Sequence, residues 1–537
     1  MKISLAVGAV VGAASAATAL SIVLAGMPVA VVAAPAEKTL NRGTAAEPNS
    51  LDPHVAQGNT AGAVLYDLNV GLTTLDARSR VIPGAAESWT ISPDGLIYTF
   101  RLRPGLKWSD GSPLTSEDFA WSARRLVTPA TAARFASFFY PVKNARAIVR
   151  GQMPPESLGV EAPDPRTLIY RLEAPAAYFL ENLASNVGAP VPRKQVEKFG
   201  RQWTRPGQML TNGPYRLAEV VPQSYIALEK NPNFYAAGEV ELERVVYYPT
   251  QNADTSLRRY LAGELDLVFN FPGEDLPKLM KERPKEVKIS PSLSVNYLVM
   301  NLSKPPFSDA RVRRALSLAL DREGIVNKFL GTGYRPAWSI TPTTVAGYNA
   351  PVAPASKQPA AARLAEARKL LAEAGYGPGK PVQFEIRYES QEENRRIVVA
   401  MAAMWRAIGV QAQPLASDLN GLNKDARTGS FEMLRYTWFA PNDDPYSFLG
   451  LLETGSTGNY SKYSNPAYDA ALKKANATLD NKLRLKLLSG AEAMLFGDEP
   501  VIPVFYYGRR YLVKPYVRGF EPNQRAVNPS RYLSIRR

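Results

Sequence analysis

PGAAESWTISPDGLIYTFRLRPGLKWSDGSPLTSEDFAW, residues 83–121, is dense in turn signals set at hairpin spacing, and its reading decides the fold. Ser92, Pro93, Asp94 and Gly95 supply what a tight reversal needs, and Tyr98, Phe100 and Leu102 alternate with Thr99, Arg101 and Arg103 at the period of a half-buried strand. Ser109, Asp110 and Gly111 predict a second turn. Thr115, followed three positions later by Asp118, predicts a helix that opens on a capping box.

Around this block the chain has 537 residues, too many for one core of ordinary size, so two or three domains are expected. Charged residues make up 21% and hydrophobic ones 45%, the balance of a soluble globular protein. Residues 1–36 break that balance. After Lys2 no charge appears until Glu37, and Ala34, Pro35 and Ala36 offer a small-x-small cleavage site. The segment is read as a secretory signal, with an uncleaved membrane anchor as the alternative. The absence of Cys excludes a lipid-modified N-terminal Cys, disulfides and thiolate metal sites. Lys plus Arg exceed Asp plus Glu by 64 to 49, and from Arg509 onward eight basic residues face Glu521 alone. That surplus is read as a solvated basic face or as a site for an anionic partner, with no nucleic-acid motif beside it.

The chemistry of an enzyme is narrowed by counting. The single His is His54, beside Pro53 in a loop, so multi-His metal sites and Cys/His nucleophile pairs are excluded. No GxSxG elbow supports a Ser/His/Asp triad and no Gly-rich ATPase loop is present. A hydrolase working with two carboxylates stays open. No catalytic residue, metal or cofactor is assigned.

Beyond Asn301 the pattern alternates. A helix is predicted from Ser308, which can cap it, then helix 361–374, strand 382–388, helix 392–408, strand 410–414, a short helix and strand 431–437. This β/α alternation predicts a parallel sheet covered by helices, whose ligands bind beyond the carboxyl ends of the strands. FEMLRYTWFAPNDDPYSFL, residues 431–449, is therefore the candidate site. Arg435 is either a salt-bridged strand residue or a guanidinium free to grip a carboxylate or phosphate in bidentate fashion. Tyr436 and Trp438 share one face of the strand, and Arg435 and Thr437 the other.

Glu87 and Trp89 followed by DGxxYTFxLRxGxKWSDGxPxTxEDFxxS, together with AAEPNSLDPH (residues 45–54) and GELDLVFN (263–270), resemble the extracellular solute-binding proteins of family 5. Such proteins capture oligopeptides, dipeptides and similar solutes for ABC importers. The resemblance implies an α/β, three-lobed periplasmic binding protein of type II with an extra domain, in which two lobes joined by a hinge close on the ligand. It implies lobe I from 37–79, 206–300 and 509–537, an extra domain from 80–205 and lobe III from 301–508, with hinge crossings near 300 and 508. It implies a monomer that delivers a peptide or peptide-like solute to an inner-membrane permease; a receptor for an anionic sugar-phosphate or opine-like conjugate is the rival, and a secreted carboxylate hydrolase is another.

The same resemblance places Gln57, Gly58 and Asn59 against the ligand and sets Asn394 where some relatives carry a carboxylate-receiving His. Arg435, Trp438, Asp444 and Pro445 match the family's strand-end phrase, but Pro441 stands where peptide binders have the Asp that holds the α-ammonium. Asn442 or Asp443 could replace it only by a loop shift, and one residue moves a carboxylate by about 3–4 Å, enough to lose a charged hydrogen bond. Solutes with an acidic group and no obligatory free amine are therefore expected.

Overall fold

The computed structural model describes residues 38–537, apart from Asn270 and Thr332 and from the side chain of Asn59. The signal expected over residues 1–36 lies outside the described residues. Among these, no helix is long and apolar enough to cross a membrane.

The opening block folds by its local chemistry. Gly95, at φ +73°, donates its amide to the Ser92 carbonyl at 2.8 Å and turns strand Ala86–Ile91 into strand Ile97–Leu102. Strands Thr167–Arg171 and Val160–Asp164 complete a four-stranded antiparallel sheet. Helix Ser116–Val127 starts where the capping box predicts, with the Thr115 amide donating to the Asp118 carboxylate at 2.8 Å. It buries Phe119, Ala123 and Leu126 over the sheet, beside edge-on contacts of Tyr170 with Phe100 at 6.2 Å and with Phe179 at 5.4 Å.

A seven-stranded sheet gathers distant parts of the chain in the order Val287–Pro291, Gly508–Val513, Leu267–Val268, Thr39–Thr44, Arg244–Pro249, Tyr225–Lys230 and Tyr215–Val221. Thr39–Thr44 runs parallel to Arg244–Pro249, and helix Gly58–Leu68 buries Val64 and Leu68 in the same core.

A six-stranded sheet follows the order Arg335–Pro336, Val501–Tyr506, Ser294–Met300, Met433–Phe439, Val382–Glu389 and Val410–Ser417. The predicted parallel sheet holds only for the last three strands. Ser294–Met300 runs antiparallel to both neighbours, because it and Val501–Tyr506 enter from outside the β/α alternation and need no crossover helix. Helices Ala360–Glu373 and Glu392–Arg406 stop just before Gly375 and Gly409, both at positive φ. The cap of helix Ala310–Leu318 is Asp309 rather than Ser308: its carboxylate accepts the Arg311 amide at 2.8 Å, within reach of the first turn.

The chain passes between the two larger sheets at Ser292–Leu293 and at Tyr507. The first passage lies earlier than the expected position near 300, since all seven residues of Ser294–Met300 are buried and form a central strand of the six-stranded sheet. Leu293 ties the passage on both sides: its amide donates to the Gln524 carbonyl at 3.0 Å and its carbonyl accepts the Ala440 amide at 2.8 Å.

His54 is a buried structural residue. Arg125 donates to its Nδ1 at 2.8 Å and pairs with Asp52 at 2.6 Å, while the Trp203 indole donates to Asp52 at 3.1 Å. Burial, and then the Arg125 charge, push the imidazole pKa from 6.5 down to about 4. Between those values the unfolded chain binds a proton that the folded chain refuses, so stability falls as pH drops through this window. Melting temperature should decline less steeply from pH 6.5 to 4 in His54→Gln than in the wild type; parallel declines would show that His54 does not carry the effect.

Candidate functional site

Strand Met433–Phe439 runs antiparallel to Ser294–Met300 and delivers its carboxyl end to the passage at Leu293. A cavity of about 320 Å³ opens there. Its walls come from Gly58 and Tyr66, from Phe135 and Phe138 of the extra block, and from Phe439–Pro441. Arg509 and the segment Gln524–Val527 complete it. Its described walls contain no Asp or Glu.

Of the residues singled out from sequence, Gly58 lines this cavity, opening its helix at φ +81°. Gln57 is exposed, with its amide donating to Asn49 Oδ1 at 2.9 Å; Asn59 lies in the same helix. Asn394 is buried and donates to the Glu389 carbonyl at 3.0 Å. The alternation along strand 433–439 sorts the rest. Tyr436 donates to Asn423 at 2.5 Å and packs edge-on against Tyr297 and Tyr460, and the Trp438 indole donates to the Ser447 carbonyl at 2.8 Å. On the opposite face Arg435 Nη2 donates to the Tyr507 hydroxyl at 3.2 Å, and Thr437 Oγ1 lies 3.2 Å from the same oxygen. The Tyr507 ring lies 5.5 Å from Phe439, which lines the cavity.

Arg435 is only 3% exposed, and among the described residues no carboxylate comes within 4.0 Å of it. Its Nε is buried without an acceptor. The salt-bridged alternative for this residue is thus not the arrangement found. The acids of the following loop are by contrast fully engaged. Asp443 accepts the Ala346 amide at 3.0 Å and the Gln524 side chain at 2.8 Å, while its own amide donates to Glu181 at 2.8 Å. Asp444 takes Arg484 in bidentate fashion at 2.6 and 2.9 Å. Asn442 is buried with its Oδ1 unpartnered.

Sequence reasoning missed the other wall. Arg509 and Arg525 belong to the basic C-terminal run, yet both line the cavity, so this part of the run is not a solvated face. Arg525 pairs with Glu181, whose carboxyl is raised by burial against the pull of that guanidinium. Burial lowers the pKa of Arg509, whose guanidinium stands 5.9 Å from the Phe439 ring. The signal available was position: Arg509 and Arg510 directly follow the second passage at Tyr507.

Residues 80–481 match the model of bacterial extracellular solute-binding proteins, family 5, and the chain belongs to that family. It has the multi-lobed α/β fold of type II periplasmic binding proteins. The periplasmic murein peptide-binding protein MppA of Escherichia coli is 36% identical over 480 residues, 89% of each chain. The periplasmic oligopeptide-binding protein OppA of Salmonella typhimurium is 37% identical over 512 residues, covering 95% of this chain and 93% of that one. The unliganded open form of MppA superposes with a TM-score of 0.84 at 35% identity, over 93% of this chain and 97% of the other.

The Arg484–Asp444 pair anchors the site loop, and both side chains are almost wholly buried. Asp444→Asn should cost about 3–5 kcal/mol, because Arg484 keeps its charge in a dry site. Chemical denaturation measures this; a loss below about 1 kcal/mol, the range of an exposed pair, would mean that the site is wet.

Proposed function

We propose that this chain is a periplasmic receptor that binds a peptide or peptide-like solute between two lobes and delivers it to the permease of an ABC transporter, without covalent chemistry. The observation that carries the reading is the cavity at the passage between the two larger sheets, in a chain whose relatives are named for murein peptide and oligopeptide binding. The lobe assignment that accompanies it is 37–79, 206–300 and 509–537 for lobe I, 80–205 for the extra domain and 301–508 for lobe III. The separate four-, six- and seven-stranded sheets support it, with the first boundary moved to 292–293. The buried commitment of His54 to Arg125 speaks against its use as a general base.

The solute end of the site follows from what is spent and what is not. Pro441 lines the cavity and offers no carboxylate, while Asp443 and Asp444 are held by protein donors. An α-ammonium therefore gains no anchor on this loop. Arg435, together with Thr437, holds the hydroxyl of Tyr507, whose ring packs by the lining residue Phe439, and in this reading the guanidinium polarises that hydroxyl toward a solute carboxylate. Gly58 and its flanking residues Gln57 and Asn59 offer backbone from the facing wall.

Calorimetry of Ala-Ala-Ala and its N-acetyl form tests this arrangement. Their affinities should agree within about threefold, and Arg435→Ala should weaken both by on the order of a hundredfold. A hundredfold preference for the free amine, abolished by Asp443→Asn, would make Asp443 a displaced ammonium anchor and sink the reading. Mass spectrometry of solute co-purified with the receptor identifies the natural ligand.

Export by cleavage after Ala36 accompanies the periplasmic assignment. N-terminal sequencing of periplasmic protein should begin at Glu37; an intact Met1 in the membrane fraction would favour an anchor.

A further inference from the structure

A second chamber, of about 180 Å³, adjoins the main cavity and shares Ala63, Arg509 and Ala526 with it. Arg42, Arg509 and Arg510 are among the residues that line it. Among the described residues none of the three has a carboxylate within 4.0 Å, and no Asp or Glu lines the chamber. Their partners are neutral. Arg42 donates to the Asn528 carbonyl at 2.9 Å and to Ser530 Oγ at 2.7 Å, and its guanidinium lies 5.2 Å from the Tyr247 ring. Arg509 has a buried Nε without an acceptor, and the Phe439 ring lies beside its charge. Arg510 stands about equally far, 6.0 and 5.9 Å, from the rings of Phe271 and Tyr334.

Arg42 acts on the buried Asp67, which is already occupied. It accepts the Ser530 amide and the Tyr247 hydroxyl, each at 2.7 Å, and its burial raises its pKa against the pull of Arg42. A guanidinium does not shed its proton on burial, so the chamber's arginines keep a positive charge that no carboxylate on its walls offsets. Arg484 and Arg525, by contrast, are given the carboxylates of Asp444 and Glu181. The chamber is therefore a place where the counter-charge is left to be brought in from outside.

We infer that the chamber lined by Arg42, Arg509 and Arg510 is a subsite for an anionic group, a carboxylate or a phosphate, carried on a side chain of the solute. The inference rests on the receptor reading above and sharpens it: with no acid on the described walls of either cavity, the preferred solute is acidic and cationic side chains are rejected. A planar guanidinium grips either anion in bidentate fashion, so the two sources share one chemistry.

Calorimetry with Ala-Ala-Ala, Ala-Glu-Ala, Ala-phosphoserine-Ala and Ala-Lys-Ala tests the inference on the wild-type chain. One of the two acidic peptides should bind at least about tenfold tighter than Ala-Ala-Ala, and which of them does so separates carboxylate from phosphate; the Lys peptide should bind most weakly. In Arg42→Gln/Arg510→Gln, two residues that line the second chamber and not the main cavity, the acidic preference should vanish while Ala-Ala-Ala still binds. Equal affinities for the Ala, Glu and Lys peptides would overturn the subsite and leave the peptide receptor standing. If none of the four peptides binds, the peptide reading fails, and thermal melting with citrate and with pyrophosphate decides the subsite. A rise of roughly 3 °C that is lost in the double variant would uphold it, and no rise would overturn it.

Discussion

The chain must cross between the two larger sheets at Ser292–Leu293 and again at Tyr507, and the rest of the architecture is arranged about that requirement. A crossing residue cannot belong to either ladder, yet its buried backbone groups still need partners. Leu293 resolves this by donating to Gln524 on one side and accepting from Ala440 on the other. The strand end at Phe439, the C-terminal segment and the passage are thereby brought to one place, and the cavity opens where the three meet. Strand ends of both sheets and the extra block contribute to its walls, which is why residues from Pro53 to Val527 line a space of a few hundred cubic ångströms.

Charge in this space is distributed unevenly, and the unevenness decides what can enter. Asp443, Asp444 and Glu181 stand close to the cavity but spend their oxygens on protein donors. Arg435, Arg509 and Arg510 have no carboxylate partner among the described residues and lean on hydroxyls and rings instead. Ring faces moderate a buried cation but do not neutralise it, since each contact contributes only ~0.5–2 kcal/mol. In the reading proposed above, an anionic solute would complete these arginines, whereas a cationic solute would meet no acid free to receive it.

Much of this was legible in the chain. The turn residues of 83–121, the capping box at Thr115 and the β/α period after Ala360 act over a few residues, so local chemistry reports them directly. The faces of strand 433–439 followed from alternation alone, with Arg435 and Thr437 opposite Tyr436 and Trp438. What alternation could not tell was the depth of each side chain. Arg435 sits behind Tyr507, a residue 72 positions away, and Asp443 is claimed by Gln524, 81 positions away. The antiparallel neighbours of Ser294–Met300 were hidden for the same reason, as pairing partners far apart in sequence leave no periodic trace. Composition left the eight basic charges of the tail open between a solvated face and a site for an anionic partner, because Arg509 and Arg525 are placed individually by the passage and by Glu181.

The position of Arg509 and Arg510 joins recognition to motion. Both lie on strand Gly508–Val513 immediately after Tyr507, so a charge bound there acts on the passage itself rather than on a remote wall. Gly508 makes this close geometry possible: a Cβ at that position would lie 1.9 Å from the Gly333 carbonyl oxygen, so a larger residue would force the neighbouring loop away. Phe439 at the strand end faces both Tyr507 and Arg509, at 5.5 and 5.9 Å, and it links the two sides of the cavity. A solute shifts a lobe equilibrium only by as much as it binds one arrangement better than the other. In the proposed reading Arg42, Arg509 and Arg510 all belong to the seven-stranded sheet, so approach of the other lobe would strip water from their charges without altering their spacing, and a bound anion would offset that cost. On this electrostatic ground the proposed subsite would oppose closure when empty and favour it when an acidic solute is bound.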